Sequence, residues 1–132
     1  MGLPLVMVGT GSMEKRLKQT AKSNIKFVGF VSDDELKNYY QNCKALIYFH
    51  EEDFGIAPVE AMSVGKPVVG LNTGGVAETV IDGQTGVLGN NLEKLIPRFL
   101  KMSFNHDLII KHAQQFSKDR FSAEFLLELT KT

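Results

Sequence analysis

The 132-residue sequence has one cysteine, Cys43, and no tryptophan. A single thiol cannot build an internal disulfide framework and fits a reducing compartment. An excess of either charge is also missing, since 15 Lys and Arg balance 15 Asp and Glu. Bulk basic charge for nucleic acid is therefore excluded, and so is an acidic tail. The longest clean apolar run, residues 45–49, falls far short of the ~20 residues of a membrane helix. No charged segment precedes the first apolar stretch and no small-residue cleavage site follows it, so no signal peptide is read. A cytoplasmic protein is expected. Glycine is absent after Gly89, although 12 glycines lie from Gly2 through Gly89. Tight turns are thus confined to the first two thirds, and the tail reads as helix.

What is present is globular: 43% of residues are hydrophobic and 23% charged. The length is that of one domain, able to bury roughly 68% of the unfolded chain's surface. Residues 3–8, 25–28, 45–49 and 67–71 are short apolar runs rich in Val and Ile, as expected of buried parallel strands. Between them the spacing predicts helices. Met13, Leu17 and Ala21 recur every fourth residue, and Leu36, Tyr39, Tyr40 and Cys43 follow the i, i+3, i+4, i+7 pattern. Ser32 with Glu35 reads as a capping box, and Ser12 as a cap followed by the first-turn acid Glu14. Val87 and Leu88 suggest a last short strand. Three helical faces follow. The first carries Leu92, Leu95, Ile96, Phe99 and Leu100, with Pro97 kinking it or marking its first turn; the second runs from Leu108 to Phe116; the third holds Phe125, Leu126 and Leu129. The reading is an α/β fold over residues 1–132, a single domain with a parallel sheet, helices on both faces and a helical C-terminal tail.

In such a sheet, ligands bind beyond the carboxyl ends of the strands. Three junctions there carry unusual residues. Gly9-Thr10-Gly11 begins like a dinucleotide fingerprint, but Glu14 stands where the third glycine belongs. It is either a tight turn or a turn kept thin for a phosphate or sugar. Residues 29–34 are either a plain helix start or a place for backbone groups to meet a nucleobase. The third junction, residues 50–62, sends a buried strand into Glu51, Glu52 and Asp53, then Phe54, Gly55 and Pro58. A helix starting near Ala57 or Pro58, with Glu60 in its first turn, directs free N–H groups at the strand ends, a seat for an anion. Ionised carboxylates accept hydroxyls. Glu52 and Glu60 flanking a bare helix start therefore suit a ligand with both hydroxyls and phosphate, as in a nucleotide sugar. The alternatives are solvated acids near a helix dipole and, with less support from ligand spacing, a cation site.

Glu52 and Glu60, with Phe54-Gly55-Ile56 between them, resemble the E-x7-E signature of the family 4 (group 1) retaining glycosyltransferases. Residues 5–11, 28–31, 60–69, 73–78 and 82–86 agree with that family in order, so the resemblance covers about residues 3–90. It implies the GT-B fold of two Rossmann-like domains, and for this chain the C-terminal, donor-binding domain. The family pattern implies that the sequence is a C-terminal fragment lacking the first strand-helix unit and the N-terminal acceptor domain, and inactive alone. By resemblance, Glu52 is the candidate catalytic residue, contacting hydroxyls of the donor sugar, and Glu60 holds the ribose. Asp53, Phe54, Gly55 and Ile56 lie at the sugar and diphosphate, Val31 and Asp33 beside the base. Gly9 and Gly11 line the nucleotide cleft, with Gly74 and Gly75 nearby. No metal and no cofactor are implied; the nucleotide sugar is a substrate. The acceptor is a saccharide or lipid-linked molecule, met through the N-terminal domain, as is any peripheral membrane contact.

Where this chain has Asp53 the family often has glycine, and the Glu-Asp-Phe-Gly-Ile variant resembles that of some mannosyltransferases, a pointer to mannosyl transfer in polysaccharide biosynthesis. Two rival readings stand beside it: a sugar-nucleotide 2-epimerase of the same fold, and a non-catalytic flavodoxin-like binding module. Gly-Thr-Gly at the end of the first strand, where such a module needs acids, counts against the second. His106 and His112 read as structural, as do Cys43, Tyr39 and Tyr40. His50, at a strand end beside the acids, is the histidine placed to touch a donor, and Lys66 reads as a helix end.

Overall fold

A computed structural model describes residues 2–130. They fall into two compact units that divide between Tyr39 and Tyr40.

In the first unit, β1 (Leu5–Val8) and β2 (Ile25–Gly29) pair in parallel, with Leu5 opposite Ile25 and a register shift after Met7. The connecting helix α1 (Glu14–Thr20) starts with Met13 as its N-cap and has no side-chain cap bond. The Ser12 cap expected from the sequence is thus not made; the Glu14 N–H donates instead to the Gly11 carbonyl at 3.1 Å. Glu14 does occupy the first turn, paired with Lys18 at 2.7 Å. Helix α2 (Asp33–Asn42) opens on the predicted capping box. The Ser32 N–H donates to Glu35 Oε2 at 2.8 Å, and the Glu35 N–H donates back to Ser32 Oγ at 3.3 Å. The Ser32 backbone N–H first, and then the Ser32 hydroxyl donating to Oε2 at 2.9 Å, hold the Glu35 carboxyl below its ordinary value.

The second unit holds a parallel three-stranded sheet, β3 (Leu46–Tyr48), β4 (Val68–Leu71) and β5 (Gly86–Gly89), with β4 in the middle. Helices α3 (Ile56–Ser63) and α4 (Gly74–Thr79) make the two crossovers that parallel pairing requires. Successive residues of β4 face opposite sides of the sheet. Val68 packs with Met62 of α3 and Val76 of α4, and with Ile109 and Ala113 of α6 (His106–Ala113). Val69 packs with Val87, Leu95 and Ile96, the last two from α5 (Leu92–Leu100). Helices thus cover both faces, which is why β4 reads as a continuous apolar run. Pro97 lies inside α5 rather than in its first turn. Helix α3 ends in paired bonds from the Gly65 N–H to the Met62 carbonyl and from the Lys66 N–H to the Ala61 carbonyl. That is a Schellman stop, the helix end read at Lys66.

Asp82 closes the loop before β5. Its carboxylate takes both Arg98 nitrogens at 2.9 Å and the Leu88 N–H at 2.9 Å. The Arg98 guanidinium holds the Asp82 carboxyl below its ordinary range. A short 3₁₀ turn (Gln114–Phe116) leads into α7 (Lys118–Thr130). The helix is present as expected, but Phe125, Leu126 and Leu129 are exposed and build no core. Among the described residues no helix is long and apolar enough to cross a membrane.

Candidate functional site

Strand β3 ends at Tyr48 and the chain bends at His50, which brings Tyr48, His50 and Glu52 together. The Tyr48 hydroxyl donates to Glu52 Oε2 at 2.5 Å, and His50 Nε2 lies 3.0 Å from Glu52 Oε1 and 3.3 Å from the Tyr48 oxygen. The two rings meet edge to face with centroids 4.5 Å apart. Burial, and then the bond to Glu52, push the Tyr48 hydroxyl up to about 12, so it stays a donor at neutral pH.

The chain then turns at Gly55, whose φ of +75° is open to glycine at no steric cost, and enters α3. No side chain caps this helix. Its first N–H groups point out of the helix end with the positive pole of the helix dipole behind them. The helix begins at Ile56, slightly earlier than expected, with Pro58 in its first turn. Glu60 consequently falls in the second turn, not the first, and no acid occupies the first turn. An open depression of about 550 Å³ is lined by Tyr48, His50, Glu52, Asp53, Phe54, Gly55, Ile56 and Ala57. It brings five of the expected site residues together around the helix start. Glu60 is not in that lining; it is exposed and accepts a hydrogen bond from the Tyr40 hydroxyl at 3.1 Å. Burial first, and Glu60 second, raise the Tyr40 hydroxyl well above the ordinary phenol.

Helix α4 supports the acid loop from beneath. The Gly75 N–H donates to the Glu52 carbonyl at 2.7 Å, and a Cβ on Gly75 would run into the Phe54 backbone. Gly74 lies against the Glu52 carbonyl and the Glu51 side chain. Both glycines are therefore beside the site, and the Gly75 N–H is already engaged.

The remaining expected residues belong to the first unit. Gly9 follows β1, and its N–H donates to the Gly29 carbonyl at 2.7 Å. Gly11 is exposed; Val31 is half-buried and Asp33 exposed, both beyond β2. Since β1 and β2 are parallel, all four stand past the carboxyl ends of that unit's strands. Of the other residues weighed, His112 holds the Thr79 carbonyl through Nε2 at 2.7 Å, and half-buried Cys43, its thiol pushed up by burial, donates to the Tyr40 carbonyl at 3.2 Å. Both are structural, as expected. Tyr40 is not only packing. Among the described residues no group of three or more His, Cys, Asp or Glu side chains could hold a metal ion.

The chain is 32% identical over 128 residues to an uncharacterised glycosyltransferase of Methanocaldococcus jannaschii, covering 89% of this chain and 36% of that protein. It is 33% identical over 117 residues to the alpha-1,3/1,6-mannosyltransferase ALG2 of Dictyostelium discoideum, covering 84% and 28%. The chain therefore spans about a third of the length of these relatives. Among solved structures, Anabaena HepE in complex with UDP superposes with a TM-score of 0.72 at 25% identity, over 98% of this chain and 41% of that one. The same protein in complex with UDP-glucose gives 0.68 at 26% over the same shares. The α/β fold of the GT-B type is thus shared along nearly the whole chain. The family model for glycosyl transferases group 1 matches residues 2–119, and the chain belongs to that family.

Proposed function

We propose that this chain is the donor-binding half of a retaining, metal-independent glycosyltransferase of two domains, and that it seats a nucleotide sugar. The observation that carries the reading is the depression in which Glu52 and the uncapped start of α3 face the same space. A helix N-terminus offers N–H groups and positive potential to a diphosphate. Because that charge grows on the leaving group during transfer, fixed donors there favour the transition state over the ground state. Glu52, an acceptor only when ionised, takes hydroxyls of the sugar, and Glu60 takes those of the ribose. Neither acid acts as the nucleophile in this reading; the donor phosphate assists deprotonation of the acceptor.

HepE binding UDP and UDP-glucose supports a nucleotide-sugar ligand, and the ALG2 relative supports a mannosyl donor, with Asp53 in the motif as the local pointer. The acceptor, a saccharide or lipid-linked molecule, and any membrane contact are assigned to the other domain. Calorimetric titration of this chain with UDP-glucose, GDP-mannose and ADP-glucose tests the reading. We expect saturable 1:1 binding of at least one of them. Heat no greater than that of dilution for all three contradicts it.

A further inference from the structure

Four acids stand in or beside the proposed site: Glu51, Glu52, Asp53 and Glu60. They are treated very differently. Glu52 accepts from the Tyr48 hydroxyl and Glu60 from the Tyr40 hydroxyl, whereas among the described residues Glu51 and Asp53 have no side-chain hydrogen bond or ion pair. The two acids that are held are the two of the E-x7-E spacing. Their tyrosines come from different elements, Tyr48 from the end of β3 and Tyr40 from the last turns of α2. Both phenol rings are half-buried while both acids are exposed. An anchored ring thus fixes a carboxylate that solvent would otherwise leave free to rotate.

We infer that Tyr48 and Tyr40 are positioning residues: Tyr48 sets Glu52 for the donor sugar, and Tyr40 sets Glu60 for the ribose. The inference rests on the nucleotide-sugar reading above. Lone-pair counting allows it. An ionised carboxylate has about four acceptor sites. Tyr48 and His50 use one on each oxygen of Glu52, which leaves about two for sugar hydroxyls. Tyr40 takes one site on Glu60, leaving enough for both ribose hydroxyls. Fixing a carboxylate before the ligand arrives reduces the ordering cost of binding.

The test compares Tyr48→Phe and Tyr40→Phe with wild type by titration with UDP-glucose and with UDP, or with GDP-mannose and GDP if that pair binds. Phenylalanine keeps each ring's packing and removes only the hydroxyl. We expect Tyr48→Phe to weaken the nucleotide sugar about threefold to tenfold and the bare diphosphate by less than about twofold. Tyr40→Phe is expected to weaken both ligands alike. In a Glu52→Ala background, Tyr48→Phe should change nucleotide-sugar binding by less than about twofold, because the accepting oxygen is already lost. Unchanged binding in both variants overturns the inference, as does an equal loss of both ligands in Tyr48→Phe, which marks a merely structural role. Wild type that binds neither ligand pair overturns the nucleotide-sugar reading itself, and the inference falls with it.

Discussion

Replacing Glu60 by alanine is expected to weaken UDP or GDP binding about tenfold to a hundredfold. The carboxylate is exposed, carries one hydrogen bond from Tyr40 and has acceptor sites to spare. Hydrogen bonds to a charged group contribute about 1.5–3 kcal/mol, and alanine removes the acceptor outright. The fold should survive. Glu60 is exposed in the second turn of α3, and the stability lost is that of the single Tyr40 hydrogen bond, about 0.5–1.5 kcal/mol. The ribose assignment makes a sharper demand as well. A 2′,3′-dideoxynucleoside diphosphate has no hydroxyls for Glu60 to accept, so wild type and Glu60→Ala should bind it equally. Titration of both proteins with both ligands gives the answer. Equal affinity of the two proteins for the ordinary nucleotide would remove Glu60 from the ribose.

A second large effect is expected at Gly75. The start of α4 lies so close under the acid loop that an added Cβ would overlap the Phe54 carbonyl group. Backbone on both sides leaves no flexible side chain to give way. Overpacking of this kind costs about 1–3 kcal/mol. Gly75→Ala should therefore lower the urea midpoint by that equivalent. It should also weaken nucleotide-sugar binding, because the Gly75 N–H bond to the Glu52 carbonyl cannot survive the displacement. Gly11→Ala supplies the comparison. Nothing lies within 4 Å of a Cβ built at Gly11, and its φ is not positive, so stability should change by about 0.5 kcal/mol or less. Equal stability of Gly75→Ala and wild type would contradict the proposed packing of α4 against the loop.

Much of this architecture could be read from local chemistry. Strands buried on both faces must be continuously apolar, which is why residues 67–71 were legible as β4 and why Val68 and Val69 feed opposite cores. Ser32 and Glu35 lie close enough in sequence for their capping bonds to be read from the residue types alone. The start of α3 was less legible. Pro58 is acceptable anywhere in a first turn, so it could not fix the first residue, and the small offset carried Glu60 into the second turn. The Ser12 cap failed because a backbone carbonyl, that of Gly11, took the Glu14 N–H. Phe125, Leu126 and Leu129 have a helical pattern, but periodicity cannot say whether anything covers the face it defines.

At the site, the E-x7-E pair was visible and its tyrosines were not. The signal for Tyr48 was faint: Tyr48, His50 and Glu52 are alternate residues, but the strand stops at Tyr48 and the chain bends at His50, so spacing alone could not bring them together. Nothing equivalent pointed to Tyr40. Its bond to Glu60 joins two helices across 20 residues of sequence, and its spacing with Leu36 and Cys43 marks only a packed helical face.

The central claim is that a diphosphate carrying a sugar rests on the bare start of α3. Amide NMR of isotopically labelled chain during titration with UDP-glucose, or GDP-mannose if that is the donor bound, tests this most directly. The account predicts that the Phe54, Gly55, Ile56 and Ala57 amides move most within residues 40–130, and that the bare nucleoside diphosphate reproduces most of their movement. Saturable binding that leaves those four amides in place would contradict it.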